Sequence, residues 1–335
     1  MTHTIRVADS DIGFACPPGT TILDAAQAAG YEMPSSCRKG VCGNCKGTVL
    51  AGSVRGGEGA EVLTDAERAQ GQVLFCRATP SSDVTIRASR IARHDPSARR
   101  RIEAKVYRIT QAADDVTILQ LRFPAGVRAK FRAGQYLRVY LPDGQQRSFS
   151  MANAPHASDG VELHVRRVAA GAFSDHVLSQ LAAGSALPVE LPYGEFALTP
   201  HDERPAVLIA SGTGFAPIKS MLEAAFRARS PRRFALYWGA RRRKDLYQLE
   251  LVQKWAAQHA NFRFVPVLSE PAADDAWEGR TGFVHQAVMA DFDTLAGHEV
   301  YACGVPAMVN AARRDLVGER GLAAEDFHCD AFAPT

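Results

Sequence analysis

Four cysteines, Cys37, Cys42, Cys45 and Cys76, restrict this chain more than any other feature of its sequence. The first three crowd into nine residues as C-x4-C-x2-C, and the fourth follows after thirty intervening residues. Separate disulfide bridges do not suit three thiols so close along the chain, whereas one inorganic centre shared by all four does. The spacing is that of a 2Fe–2S cluster held through four thiolates, which carries one electron at a time. Tetrahedral zinc also accepts four thiolates, but zinc sites usually repeat a closely spaced cysteine pair, and Cys76 stands alone. Gly40 and Gly43 permit the left-handed turns that aim backbone N–H groups at cluster sulfurs. Cys16, Cys303 and Cys329 are scattered, and a buried thiol is the ordinary expectation for each.

The 335 residues leave room for two or three domains, and a content of 46% hydrophobic and 22% charged residues is ordinary for a globular protein. A net charge of +3 argues for neither nucleic acid nor a membrane surface as partner. Of the 39 basic residues 32 are arginine, so arginine runs carry little information here. Met1-Thr-His-Thr-Ile-Arg leads into no apolar segment of the secretory kind, and no stretch approaches the roughly eighteen apolar residues of a membrane span. Thiol-ligated iron with three spare cysteines leads us to expect a reducing, cytoplasmic compartment.

Residues 1–90 read as an α+β unit. Thr4–Val7 and Ile12–Ala15 suggest a hairpin, Thr21–Ala29 a short helix stopped at Gly30, and Lys46–Leu50 a strand. Thr64 followed by Glu67 is a capping-box pattern for a helix over Thr64–Gln70, and Phe75–Arg77 and Val84–Ile86 are expected to complete the sheet. Residues 91–101 lie in a basic, irregular stretch and read as a linker, with a docking face for an acidic redox partner as the competing reading. Over 102–200, short β-rich runs such as Ala104–Thr110, Thr117–Phe123, Tyr136–Tyr140, Val161–Val168 and Ala186–Leu191 predict an antiparallel β-barrel. Over 204–335 the rhythm changes. Strands at Ala206–Ala210, Phe234–Gly239, Phe262–Val267 and Glu299–Cys303 alternate with helical stretches, which predicts an α/β doubly wound sheet.

The strand Ala206–Ala210 runs into Ser211-Gly212-Thr213-Gly214-Phe215-Ala216-Pro217 and then a helix. Gly212 and Gly214 allow a tight turn and close approach of backbone to a pyrophosphate, and the helix start supplies unpaired N–H groups. Pro217 suits the first helical turn, where a missing N–H costs nothing. A plain turn is the alternative, and the strand–turn–helix context favours dinucleotide binding. Cys303-Gly304-Val305-Pro306 sits where a late strand meets a helix, the ligand edge of such sheets. On sequence grounds Cys303 is equally a core cysteine or a ligand-facing one.

Arg147-Ser148-Phe149-Ser150, Gly171-Ala172-Phe173-Ser174, the Gly212–Pro217 turn and Cys303-Gly304-Val305-Pro306, in that order, resemble the ferredoxin–NADP reductase superfamily. With a plant-type ferredoxin (β-grasp) domain in front, the whole chain is similar to the fused reductase components of bacterial Rieske aromatic-ring dioxygenases. Within that group RSFSMANAP and FHCDAF look most like terephthalate dioxygenase reductases. The resemblance implies that Arg147 binds flavin phosphate and that the Ser150 hydroxyl bonds near the reacting nitrogen of the flavin. Phe149 replaces the family's tyrosine and keeps the ring while losing the hydroxyl. Gly171 and Ser174 match a phosphate-holding segment, with Ser174 expected as an N-cap, and Ser148, His164, Val165 and Phe173 belong to the same implied flavin site. FAD rather than FMN follows from the ferredoxin-first arrangement, not from the motifs. Cys303, Gly304 and Pro306 would face the nicotinamide; Asp330 would lie near the hydride-transfer site, and Phe332 would cover the flavin.

Arg241-Arg242-Arg243-Lys244 follows the second strand of the α/β domain and could engage a 2′-phosphate, with Arg241 the residue assigned to the nucleotide. Ser269-Glu270-Pro271 instead places an acid where NADP-selective relatives often carry arginine, so NADH and NADPH both stay open. The resemblance implies one route, from nicotinamide hydride to flavin, then singly to the 2Fe–2S cluster, then to a separate terminal oxygenase component. Ser150, Cys303 and Asp330 would line the hydride encounter. Reductases of di-iron monooxygenases and of deoxysugar dehydrases use the same modules. A redox-sensing flavin and iron–sulfur protein that does not turn over is the alternative of another class.

Overall fold

The structure is a computed structural model and describes residues 1–59, 62–95, 99–169 and 171–332. It divides into two units, Met1–Pro96 with Asp330–Thr335, and Ser97–Cys329. Part of the stretch expected as a linker, 96–98, lies outside the described residues. The part before it is not a bare tether, because Ala92–Arg93 pairs antiparallel with Tyr31–Glu32, and His94 Nδ1 lies 2.7 Å from Glu32 Oε1. The part after it is already strand, since Arg100 and Arg101 pair with Leu191 and Glu190.

In the first unit a five-stranded sheet runs in the order Gly13–Cys16, His3–Val7, Val84–Ala88, Lys46–Ala51, Gln72–Leu74. Alternation along His3–Val7 and Val84–Ala88 sends Ile5, Val7, Val84 and Ile86 into one core. Against that face packs the helix Ile22–Ala28, started by the Thr21 hydroxyl, which accepts from Asp24 N at 3.1 Å. The capping box of Thr64 and Glu67 is present and starts the helix Asp65–Ala69. Phe75–Arg77 differs from the expected strand. The strand is Gln72–Leu74, and the next residues turn because Arg77 N and Ala78 N both donate to Leu74 O. That turn brings Cys76 back toward the other cysteines.

In the second unit a six-stranded antiparallel sheet runs Gln146–Ser150, Tyr136–Tyr140, Ala186–Tyr193, Arg100–Ala113, Val116–Arg122, Gly160–Arg166. A bridge between Met151 and Leu163 joins its first and last strands, so the sheet closes into a barrel around Leu119, Leu137, Val139, Leu163 and Val189. The sheet that follows, parallel over its first five strands, has the order Arg280–Thr281, Phe262–Leu268, Phe234–Ala240, Ala206–Ser211, Glu299–Gly304, Phe327–Ala331. Its central strands are buried almost throughout, as a sheet covered on both faces requires. The strand order reverses between Ala206–Ser211 and Glu299–Gly304, and the crevice beyond their carboxyl ends is the place where such sheets bind ligands.

Candidate functional site

The four cysteines fold into one loop system within the first unit. Arg38, Gly40 and Gly43 adopt positive φ, and the N–H groups of Lys39 and Val41 both point at Cys37 Sγ, at 3.4 Å. Cys45 Sγ and Cys76 Sγ stand 3.1 Å apart. A hydrogen bond from Cys42 and the loop amides pull the Cys37 thiol down to about 5, against the effect of burial. In the Cys45–Cys76 pair one sulfur keeps the proton, so Cys45 is lowered and Cys76 raised. Backbone donors aimed at sulfur, with the Cys37 and Cys45 thiols lowered, fit an iron–sulfur cluster. Asp330 groups with this unit, where Ser36 Oγ donates to its Oδ1 and burial raises its carboxyl to about 6. Its carboxylate is thus bonded to the residue preceding Cys37. Phe332 is half-buried just beyond the final strand.

The flavin candidates lie on the barrel. Gln146–Ser150 carries Arg147, half-buried, Ser148, exposed, and Phe149, whose ring sits 4.8 Å from that of Phe173. Ser150 ends the strand with its Oγ buried and without a hydrogen-bond partner. An orphaned hydroxyl costs free energy unless something else fills the need, so it fits a bound flavin. Gly171 is required by close approach: a Cβ there would lie 2.6 Å from Ser174 Oγ. Ser174 is not the N-cap that the sequence suggested. Gly171 caps the helical turn Ala172–Val177, and the Ser174 hydroxyl instead accepts from Val168 N at 3.0 Å, closing the loop from inside.

The nucleotide candidates meet backbone to backbone at the sheet crevice. A Cβ on Gly304, φ +145°, would lie 2.0 Å from Ser211 Oγ, which accepts from Val305 N at 3.1 Å. Trp238 Nε1 donates to Gly212 O at 3.1 Å and stacks on Phe215, steadying the turn from below. The helix Phe215–Arg227 starts at once, with Pro217 in its first turn, and Pro306 opens the helix Pro306–Glu319 beside Cys303, which is fully buried. Arg166, which no motif marks, is a barrel residue whose guanidinium would stand 3.0 Å from a Cβ on Gly212. The basic run is largely engaged. Arg242 binds Asp274 and Asp275 at 2.5 and 2.6 Å, and Lys244 binds Asp114 at 2.6 Å. Arg241 is exposed, and its carbonyl accepts from Glu270 N at 3.0 Å.

The His164 ring is held by the chain itself. It is wholly enclosed, with Nε2 3.1 Å from Glu162 Oε1 and Nδ1 2.9 Å from the Tyr247 hydroxyl. Burial depresses its pKa, so the neutral ring donates from Nε2 and accepts at Nδ1. Val165 points into the barrel core. Burial pushes the Glu162 carboxyl up, but His164, Lys219 and Gln120 more than reverse this and hold it far below the ordinary carboxylate range. Lys219, Glu162 and Tyr247 were missed. The available signal was a lysine inside the apolar run Phe215-Ala-Pro-Ile-Lys-Ser-Met-Leu, since a buried cation needs an anion.

Three family models match in chain order: a 2Fe-2S iron-sulfur cluster binding domain over residues 5–81, an oxidoreductase FAD-binding domain over 103–198, and an oxidoreductase NAD-binding domain over 208–314. The chain is 46% identical to a terephthalate 1,2-dioxygenase reductase component of Comamonas sp, over 99% of this chain and 98% of the relative. It is 37% identical to a CDP-6-deoxy-L-threo-D-glycero-4-hexulose-3-dehydrase reductase of Yersinia pseudotuberculosis serotype I (strain IP32953), over 100% of both chains. Among solved structures, an Amycolatopsis cytochrome P450 reductase matches with TM-score 0.74 and 35% identity, covering 99% of each chain. Among the described residues no helix is long and apolar enough to cross a membrane.

Proposed function

This chain belongs to the family of fused reductase components that carry 2Fe–2S, flavin and nicotinamide domains on one polypeptide, and from that premise we propose that it feeds single electrons to the Rieske, non-haem iron oxygenase of a terephthalate-type system. It is an NAD(P)H-dependent flavin iron–sulfur oxidoreductase. FAD held by the barrel would supply the conversion between a two-electron hydride donor and a one-electron cluster.

The protein's own task is binding and orientation. Arg147, Ser148 and the Gly171–Ser174 turn hold flavin phosphate, Phe149 packs on the flavin with the buried Phe173 ring behind it, and Ser150 gives its hydroxyl to the ring. Gly212, Thr213 and Gly214 present backbone N–H groups to the pyrophosphate of NADH or NADPH, with Arg241 beside the adenosine ribose. Gly304 and Pro306 form the wall against the nicotinamide, with the fully buried Cys303 side chain packed behind them as a core thiol. Cys37, Cys42, Cys45 and Cys76 hold the cluster. The observation that carries this reading is the crevice where Ser211–Gly214 meets Cys303–Val305 at the reversal of strand order, with the unpartnered Ser150 hydroxyl on the adjoining barrel.

Reconstitution tests the partner. The purified chain, NADH or NADPH, terephthalate, dioxygen and the terminal component of a terephthalate dioxygenase should form the cis-dihydrodiol, with one nucleotide and one dioxygen consumed per product. Intact ferricyanide reduction without dihydrodiol would remove the terephthalate partner while leaving the reductase. The 37% identity to a deoxysugar dehydrase reductase then makes that dehydrase the next acceptor to try.

A further inference from the structure

Two successive side chains on one helix grip two successive carbonyls of the barrel. Lys219 Nζ donates to Ala152 O at 3.3 Å, and Ser220 Oγ donates to Asn153 O at 2.7 Å. Both side chains are buried, Lys219 with 6% and Ser220 with 0% of their surface exposed. The helix is Phe215–Arg227, whose first residue directly follows the Gly212–Gly214 turn. The gripped carbonyls lie two and three residues beyond Ser150. The ammonium of Lys219 is held in turn by Glu162 Oε1 at 3.1 Å and Glu223 Oε1 at 2.8 Å. Glu162 also accepts from Gln120 Nε2 at 2.9 Å and from His164, whose Nδ1 accepts from the Tyr247 hydroxyl. One buried network thus joins the barrel strand Gly160–Arg166 to the nucleotide helix and to the segment after the basic run.

Resting on the reductase reading above, we infer that Lys219 and Ser220 are positioning residues that fix the nucleotide turn against the flavin segment. Helix and turn are continuous, so the grip transmits the position of Ser150–Asn153 to Gly212–Gly214 with no loop between them. Hydride transfer needs reacting atoms within about 3–3.5 Å and aligned, a demand on relative placement that binding strength alone does not meet. A mobile lysine would not serve. Its charge is balanced by two carboxylates and its stem is packed, which leaves a single geometry for the Ala152 bond.

The test uses FAD- and cluster-loaded protein, with Lys219→Met and Ser220→Ala. Anaerobic stopped-flow measures the limiting rate of flavin reduction separately from nucleotide Kd, and hydrogen–deuterium exchange follows the Met151 and Ala152 amides in flavin-free protein. Those amides bond to Gln135 O and Glu162 O. Lys219→Met should lower the limiting rate at least tenfold, leave Kd within threefold and speed amide exchange. Ser220→Ala, which removes one hydroxyl and no charge, should act in the same direction more weakly, and it carries the test if Lys219→Met does not fold. A limiting rate within twofold of the parent in the folded variants overturns the inference, as does a loss confined to Kd. If neither nucleotide reduces the parent protein, the reductase reading fails instead. Unchanged amide exchange would still overturn the grip on its own.

Discussion

Gly214 and Cys303 stand so close that a Cβ on the glycine would lie 2.1 Å from the cysteine's carbonyl oxygen. Carbonyl and turn are both backbone, so neither can swing aside. Gly214→Ala should therefore push the nucleotide turn off the adjoining strand, with a stability cost of about 1–3 kcal/mol typical of overpacking. Equilibrium titration should show nucleotide affinity falling at least tenfold, while the cluster's visible spectrum stays as in the parent. Parental affinity would mean that the crevice is not the pyrophosphate site.

Ser150 makes an opposite pair of demands on the empty and loaded protein. Its buried hydroxyl has no partner within the chain. Removing such a group relieves a desolvation penalty of about 1–3 kcal/mol, so Ser150→Ala should raise the melting temperature of flavin-free protein. The same change should slow flavin reduction at least tenfold in the loaded protein. Calorimetry and stopped-flow read the two arms. A lowered melting temperature with an unchanged rate would assign Ser150 to the core.

Periodicity and turn chemistry made most of the fold legible. The strand runs at Tyr136–Tyr140 and Phe234–Gly239 appear in the structure as Tyr136–Tyr140 and Phe234–Ala240 because alternating or continuous burial leaves a direct trace in sequence. Phe75–Arg77 failed because β-rich composition cannot reveal that Leu74 O captures two amides and turns the chain. Ser174 failed likewise: a serine near a helix start reads as a cap, yet its partner is Val168, six residues back. The ring contacts of His164 were not legible because its partners, Glu162 and Tyr247, come from a neighbouring position and from one 83 residues away. Local motifs mark what touches a ligand. Contacts that hold lobes together are long-range and leave only an odd residue, such as Lys219, in an apolar run.

The order of carriers predicts a split between two electron acceptors. Ferricyanide takes electrons from flavin, whereas cytochrome c needs the one-electron cluster. Cys42→Ser removes one of the four thiolates and should abolish the cluster's absorbance and cytochrome c reduction, with most ferricyanide reduction by NADH or NADPH retained. Loss of both activities in equal measure would break the proposed sequence.

Glu162 ties the stability of the second unit to pH. Its folded carboxyl is held far below the ordinary range by His164, Lys219 and Gln120, despite burial. A depressed folded pKa means that the unfolded chain binds the proton more readily, so the group stabilises above its unfolded value, about 4.3, and that contribution fades as pH falls below it. Glu162→Gln removes the titration and leaves the Lys219 ammonium with Glu223 alone. At pH 7 the variant should be less stable by about 3 kcal/mol, the usual effect of breaking a buried pair from one side. Below pH 4.3 the gap should narrow, because the parent loses what the variant never had. Urea melts of both proteins from pH 7 to pH 3 give the comparison. Parallel curves across that window would show that Glu162 does not carry the acid dependence, and that the network around Lys219 is held by its other members.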